Sequence, residues 1–120
     1  MANRKKKPTL DRRSNCPVAC VLDLVGDKWT LLVVRDLALG VTHFEEFLDS
    51  PEKIATNILS DRLKRLQAAG YITKETEPAD KRKSIYTFTE RGKELKTLMG
   101  LLARWGLKNI PNTSAEHPEL

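Results

Sequence analysis

Residues 55–70, A-T-N-I-L-S-D-R-L-K-R-L-Q-A-A-G, constrain this chain more than any other stretch. Leu59, Leu63 and Leu66 recur at i, i+4 and i+7, one apolar stripe at the helical period. Thr56, Asn57, Ser60, Asp61 and Lys64 fall on the opposite side. They are mostly short polar groups, suited to a surface rich in donors and acceptors. A helix over this run is roughly 24 Å long at about 1.5 Å per residue, enough to cross a DNA major groove about 12 Å wide. Gly70 stands where a glycine stops a helix. Taken alone, the pattern also fits an ordinary amphipathic surface helix. Its neighbours decide between the two: a short capped helix precedes it and a hairpin with a basic tip follows it.

A chain of 120 residues makes one domain with a core that needs no disulfide staples. No apolar run approaches the roughly 18 residues of a membrane span. The charged N-terminal segment lacks the apolar stretch of a secretory signal, and the two cysteines suit a reducing compartment. The expected location is therefore cytoplasmic, with no membrane partner. The net charge of +5 lies in residues 1–15, where Arg4, Lys5, Lys6, Lys7, Arg12 and Arg13 face only Asp11. The rest of the chain is balanced, so the isoelectric point does not by itself argue for nucleic acid. The distribution does. Glu45, Glu46, Asp49 and Glu52 cluster on one segment, and Arg62, Lys64, Arg65, Lys81, Arg82 and Lys83 on another. Such segregation points one face at phosphate.

Residues 1–15 read as a disordered basic arm, either adding sequence-independent DNA affinity or acting as a solubilising tail. Cys16-Pro17 opens a first helix, proline suiting the first helical position. Val18, Val21, Leu22 and Val25 form its stripe, Gly26 closes it, and Asp27 is placed to cap the next helix. Residues 29–39 are apolar nearly all round and read as the central buried helix, ended by Gly40. Thr42 and Glu45 form a capping box opening a short helix that turns Phe44, Phe47 and Leu48 inward. Ser50-Pro51 ends it, and a tight connection with Ile54 in the core leads into the helix of residues 55–70. Two helices joined this closely make a helix-turn-helix whose second member enters the major groove.

Residues 71–77 and 84–88 have strand character, and Pro78-Ala79-Asp80-Lys81-Arg82-Lys83 is the turn between them, a basic wing. After a recognition helix such a tip reaches the DNA backbone or minor groove. Thr89 caps the last helix, with Glu90 and Glu94 near its positive end. Leu95, Leu98, Met99, Leu102 and Trp105 stripe it, and an amphipathic helix protruding after the wing pairs with a twofold mate. Residues 107–120 read as a frayed tail. The fold class is mostly α with a small β-hairpin: a winged helix-turn-helix over residues 16–106.

Over that span the chain resembles the HxlR-type winged helix-turn-helix regulators, relatives of the MarR group. Gly26-Asp27-Lys28-Trp29-Thr30-Leu31-Leu32 is similar to the family's G-x-K-W-T-x-x-I/L, and Phe44-Glu45-Glu46-Phe47 to its R-F-x-E-L. Leu59-Ser60-Asp61-Arg62-Leu63-Lys64-Arg65-Leu66 with Gly70 matches L-x-x-R-L-x-x-L-x-x-x-G. Tyr86-Thr87-Phe88-Thr89-Glu90-Arg91-Gly92 is similar to Y-x-L-T-x-x-G, and Trp105-Gly106 to the closing W-G. His43 stands where the family often has arginine, Ala55 where serine precedes the recognition helix, and Asp80-Lys81-Arg82 is closer to the MarR wing. The resemblance implies a homodimer, dimerising mainly through its N- and C-terminal helices and binding double-stranded DNA at a palindromic operator; the expected role there is that of a repressor.

On this reading Asn57, Ser60 and Lys64 approach bases and Thr56 sits on a phosphate. Arg62 or Arg65, with Lys81, Arg82 and Lys83, neutralises backbone charge. Cys16, at the positive end of a helix dipole, is in a setting that favours thiolate chemistry. Relatives that sense oxidants or electrophiles through Cys-Pro make it a redox-sensing candidate; the alternative is a structural cysteine with a small-molecule effector in the dimer crevice. Cys20, one turn on, is poorly placed as a resolving thiol. No glycine-rich phosphate loop or carboxylate cluster points to an enzyme. Cys16, Cys20 and a histidine have no zinc spacing, so no metal or cofactor is expected. The rival from another class is a winged-helix protein-interaction module that does not bind DNA.

Overall fold

The computed structural model describes residues 12–114. The basic arm is therefore outside the described residues except for its last few positions, where Arg13 pairs with Asp23 at 2.7 Å. Five helices and two strands follow in the order α1 (Pro17–Val25), α2 (Thr30–Ala38), α3 (Phe44–Phe47), α4 (Thr56–Ala68), β1 (Ile72–Thr76), β2 (Ser84–Phe88) and α5 (Gly92–Asn109). The strands form one antiparallel hairpin in which Ile72 faces Phe88, Lys74 faces Tyr86 and Thr76 faces Ser84.

The core is built from the stripes. Val33, Val34 and Leu37 of α2, Phe47 of α3, Leu59, Leu63 and Leu66 of α4, Ile72 and Tyr86 of the hairpin, and Leu95 and Met99 of α5 are all buried. Ile54, in the α3–α4 connection, is buried as expected. Phe47 meets Tyr86 edge-on with ring centroids 6.3 Å apart, and the Tyr86 N–H donates to the Thr42 carbonyl at 2.9 Å. The hairpin is thereby docked on the start of α3.

Glycines close two helices by the same device. After α4, the Gly70 N–H donates to the Gln67 carbonyl and the Tyr71 N–H to that of Leu66, with Gly70 at φ 84°. After α2, Gly40 at φ 98° plays the same part, its N–H reaching Leu37 and that of Val41 reaching Asp36.

Several element ends differ from the sequence expectation. The capping box of α3 sits one residue later than Thr42 and Glu45. His43 is the extended N-cap residue, and Glu46, three positions on, accepts its N–H at 3.1 Å and that of Thr42 at 3.2 Å. Asp27 serves α2 from two residues before its N-cap position, accepting the N–H groups of Trp29 and Thr30. Thr89 takes the Gly92 N–H at 3.0 Å as expected of a cap, while regular α-helix starts only at Gly92. α5 runs to Asn109, three residues into the segment expected as tail. Its end is tied by Asn109 Nδ2 to the Trp105 carbonyl and by Thr113 Oγ1 to that of Ile110.

Two helices leave their stripes open. Only Val25 of the α1 stripe is buried, while Val18, Val21 and Leu22 are exposed. On α5, Leu101, Leu102, Trp105 and Leu107 are exposed beyond the buried Leu95 and Met99.

Candidate nucleic-acid interface

α4 divides its surface by helical period. Leu59, Leu63 and Leu66 pin one face to the core, so Thr56, Asn57, Asp61, Lys64 and Arg65 are carried outward and exposed. Ser60 is half-buried on the same side. Ala55, the N-cap residue, offers no side-chain oxygen. The first-turn N–H groups of α4 thus carry the positive end of the helix dipole uncapped, beside Thr56.

The two arginines of α4 behave differently. Arg65 has a side chain 48% exposed and lies 3.6 Å from Asp61. Arg62 has a side chain only 15% exposed and turns back toward the body, donating from Nε to Asp27 at 2.8 Å and from Nη1 to Asp61 at 2.5 Å. Asp27 gathers the Arg62 guanidinium, the Thr30 hydroxyl and the N–H groups of Trp29 and Thr30. Burial works against its charge, but these donors outweigh it and hold the carboxyl well below the usual range.

The wing presents Lys81, Arg82 and Lys83, all exposed. Asp80 shapes the tip, accepting the Arg82 N–H and guanidinium at 3.1 Å each, which depresses the Asp80 carboxyl. Lys64, Lys81 and Lys83 have no ion-pair partner among the described residues. At the wing's base, His43 Nε2 lies 2.8 Å from Glu77 Oε1, and His43 Nδ1 lies 3.0 Å from the Thr42 hydroxyl. The hydrogen bond with Glu77, aided by the charge of Glu46, raises the His43 pKa above its ordinary value. Behind the helix-turn-helix, Arg35 of α2 forks onto Glu52 with two bonds of 2.8 Å, and buried Asp36 accepts the Ser50 hydroxyl. These two contacts fix the turn between α3 and α4 to α2.

Sequence reasoning placed the exposed face of α4 and the wing together. It missed the Asp27–Arg62 and His43–Glu77 pairs, which join residues 35 and 34 positions apart. The only sequence signal for either was the presence of complementary charges.

Cys16 is exposed and is the extended N-cap residue of α1, with Pro17 following at the first helical position. Its N–H donates to the Ser14 hydroxyl at 2.9 Å, and Cys20, half-buried, points its Sγ at the Ser14 carbonyl at 3.4 Å.

The family of HxlR-like helix-turn-helix proteins matches residues 24–114, three-quarters of the chain. The chain belongs to the HxlR family. It is similar to the HTH-type transcriptional regulator YdeP of Bacillus subtilis, 31% identical over 109 residues that cover 88% of this chain and 85% of that protein. Among solved structures it is similar to the redox regulator HypR in its reduced form, at 27% identity and a TM-score of 0.70, over 79% of this chain and 94% of the other. It is also similar to the reduced transcriptional regulator YodB of B. subtilis, at 25% identity and a TM-score of 0.66, over 84% and 100% respectively. This HxlR protein is a winged helix-turn-helix transcriptional regulator and not an enzyme. No helix among its described residues is long and apolar enough to cross a membrane.

Proposed function

We propose that two copies of this chain pair through α1 and α5 and act in the cytoplasm as a repressor, reading a palindromic operator with their two α4 helices. The observation that carries this is the exposed polar face of α4, adjoined in sequence by a wing with three exposed basic residues. Asn57, Ser60 and Lys64 are assigned to base edges, where an asparagine can take adenine bidentately and a lysine can donate to guanine. Thr56 and the uncapped first turn of α4 are assigned to a phosphate, an anion at the positive end of a helix. Arg65, Lys81, Arg82 and Lys83 neutralise further phosphates. The exposed apolar residues of α1 and α5 support the pairing, which sets the recognition helices roughly 34 Å apart for successive major grooves.

Cys16 extends the proposal to effector response. It is exposed, it stands at the N-cap position of a helix opened by proline, and HypR, which the chain resembles, is a redox regulator. Oxidation there alters the end of α1, one of the two helices assigned to the dimer. A structural Cys16 with a small-molecule effector is the competing account, and a thiol titration separates them: Cys16 reacts with peroxide, diamide or a quinone in the first and is inert in the second.

Fluorescence anisotropy of the reduced protein on DNA upstream of its own gene, against random duplex in a salt series, tests the reading. Preferential binding supports a sequence-specific regulator. No binding to either duplex at low salt overturns it in favour of a protein-interaction module.

A further inference from the structure

We infer that Arg62 and Asp27 are a positioning pair that sets the angle of the recognition helix against the start of α2, rather than Arg62 being a phosphate contact. The inference rests on the DNA-binding reading of α4 and refines it.

The geometry of Asp27 carries the argument. One carboxylate oxygen accepts three donors, the N–H of Trp29 at 3.0 Å, that of Thr30 at 3.1 Å and Nε of Arg62 at 2.8 Å. The other accepts the hydroxyl of Thr30, a buried residue, at 2.5 Å. The first turn of α2 therefore fixes the carboxylate, and the carboxylate fixes Arg62. Arg62 stands between Leu59 and Leu63, which are buried, and Asn57, Ser60 and Lys64, which face outward. A rotation of α4 about its axis that moved the outward residues would have to pull Nε from Asp27. Asp27 lies two residues beyond the end of α1, so the pair also ties the recognition helix to the α1–α2 junction.

Recruiting Arg62 to a phosphate would exchange the carboxylates of Asp27 and Asp61 for another anion and gain little charge attraction. It would also leave Asp27, a partly buried carboxylate, without its cation. Arg65 and the wing lysines can meet phosphate without that loss.

The test uses the full chain and the duplex that wild type selects from a random pool, with random duplex as reference, both over a sodium chloride series. Asp27→Asn retains an oxygen for the N–H groups of α2 and removes the charge that ties Arg62 to α2, leaving the guanidinium only Asp61 of its own helix. Arg62→Gln removes the guanidinium, and Arg62→Lys keeps the cation but not the fork, so the question survives a variant that folds poorly. Expected for each is a fall of at least roughly fivefold in selected-over-random binding, the size of one lost base contact. The salt slope on random duplex stays at the wild-type value, and the Asp27→Asn/Arg62→Gln double variant is no worse than the weaker single. Two results overturn the inference. In one, Arg62→Gln lowers the salt slope by about 0.9 while Asp27→Asn, releasing Arg62 from α2, tightens binding, as a phosphate contact would. In the other, the variants lose stability to urea but keep wild-type selectivity per folded molecule, as a merely structural pair would. A wild type that selects no sequence from the pool refutes the regulator reading itself, a separate and recognisable failure.

Discussion

Trp105→Ala is the substitution that most sharply separates the proposed dimer from a self-sufficient monomer. Trp105 is 61% exposed, in the open half of α5. A tryptophan buries up to ~250 Å² when fully covered, so roughly 150 Å² of this one remains in water. If pairing covers half of that on each of two copies, the buried area at about 25 cal/mol per Å² contributes about 4 kcal/mol. Alanine recovers a small part, leaving a loss of about 3 to 4 kcal/mol, a weakening of the dimer Kd by roughly 100- to 1,000-fold. The monomer should not notice, because removing a side chain that already faces water leaves no cavity behind. Sedimentation equilibrium over a dilution series reads the dimer constant directly. Trp105 fluorescence gives a second reading, since covering the ring moves its emission to the blue. A Trp105→Ala chain that self-associates as tightly as wild type, or a wild type that is monomeric at micromolar concentration, refutes the reasoning.

Three further outcomes follow from the site and its supports. Removing Lys81 and Arg82 together by alanine should weaken operator and random duplex alike and lower the salt slope by up to about two, read by anisotropy; an unchanged slope would take the wing off the DNA. Gly92→Ala places a Cβ against the Tyr71 carbonyl oxygen and 3.0 Å from Phe88 Cδ1. It should cost about 3 kcal/mol and lower the urea midpoint by roughly 1 to 2 M despite alanine's better helix propensity, whereas an unshifted midpoint would contradict the close packing of α5 on the hairpin. His43 is raised by the hydrogen bond with Glu77, and Glu77 is lowered by the same bond. The charged clasp is therefore complete below the ordinary histidine pKa and is lost as pH rises through the raised His43 value; at the acid end it fails as Glu77 is protonated. Ring resonances of His43 should titrate above those of a free histidine, the wing amides of residues 77–83 should shift in the same step, and Glu77→Gln should bring the His43 midpoint down. Wing amides indifferent to that step would sink the idea of a clasp.

Much of the architecture was legible because it is written locally. The leucine stripe of α4, the glycines that end α2 and α4, and the alternation of Tyr86 and Phe88 each follow from a few adjacent residues, and the structure keeps them. The misjudged ends have local causes too. The capping box at α3 admits either Thr42 with Glu45 or His43 with Glu46, and only the extended backbone at His43 decides. Asn109 and Thr113 carry α5 past Gly106 by tying its last carbonyls, a contact that composition read as tail. What no local pattern announced were the long-range pairs. Arg62 reads from sequence as one more base on a basic helix, and its turn toward Asp27 appears only when α2 and α4 are packed. The same holds for the link between His43 and the wing, and for Arg35 with Glu52 at the back of the helix-turn-helix.

The central claim is that the outward face of α4 reads base edges. Asn57 tests it most directly, being exposed, uncharged and in the first turn of the helix, where alanine leaves the fold intact and the phosphate attraction unchanged. Anisotropy with Asn57→Ala should show selected-duplex binding weakened by about 1 to 3 kcal/mol, with preference relaxed at one base position of each half-site and random-duplex binding as in wild type. Equal affinity of Asn57→Ala and wild type for the selected duplex, or an equal loss on both duplexes, would contradict the claim.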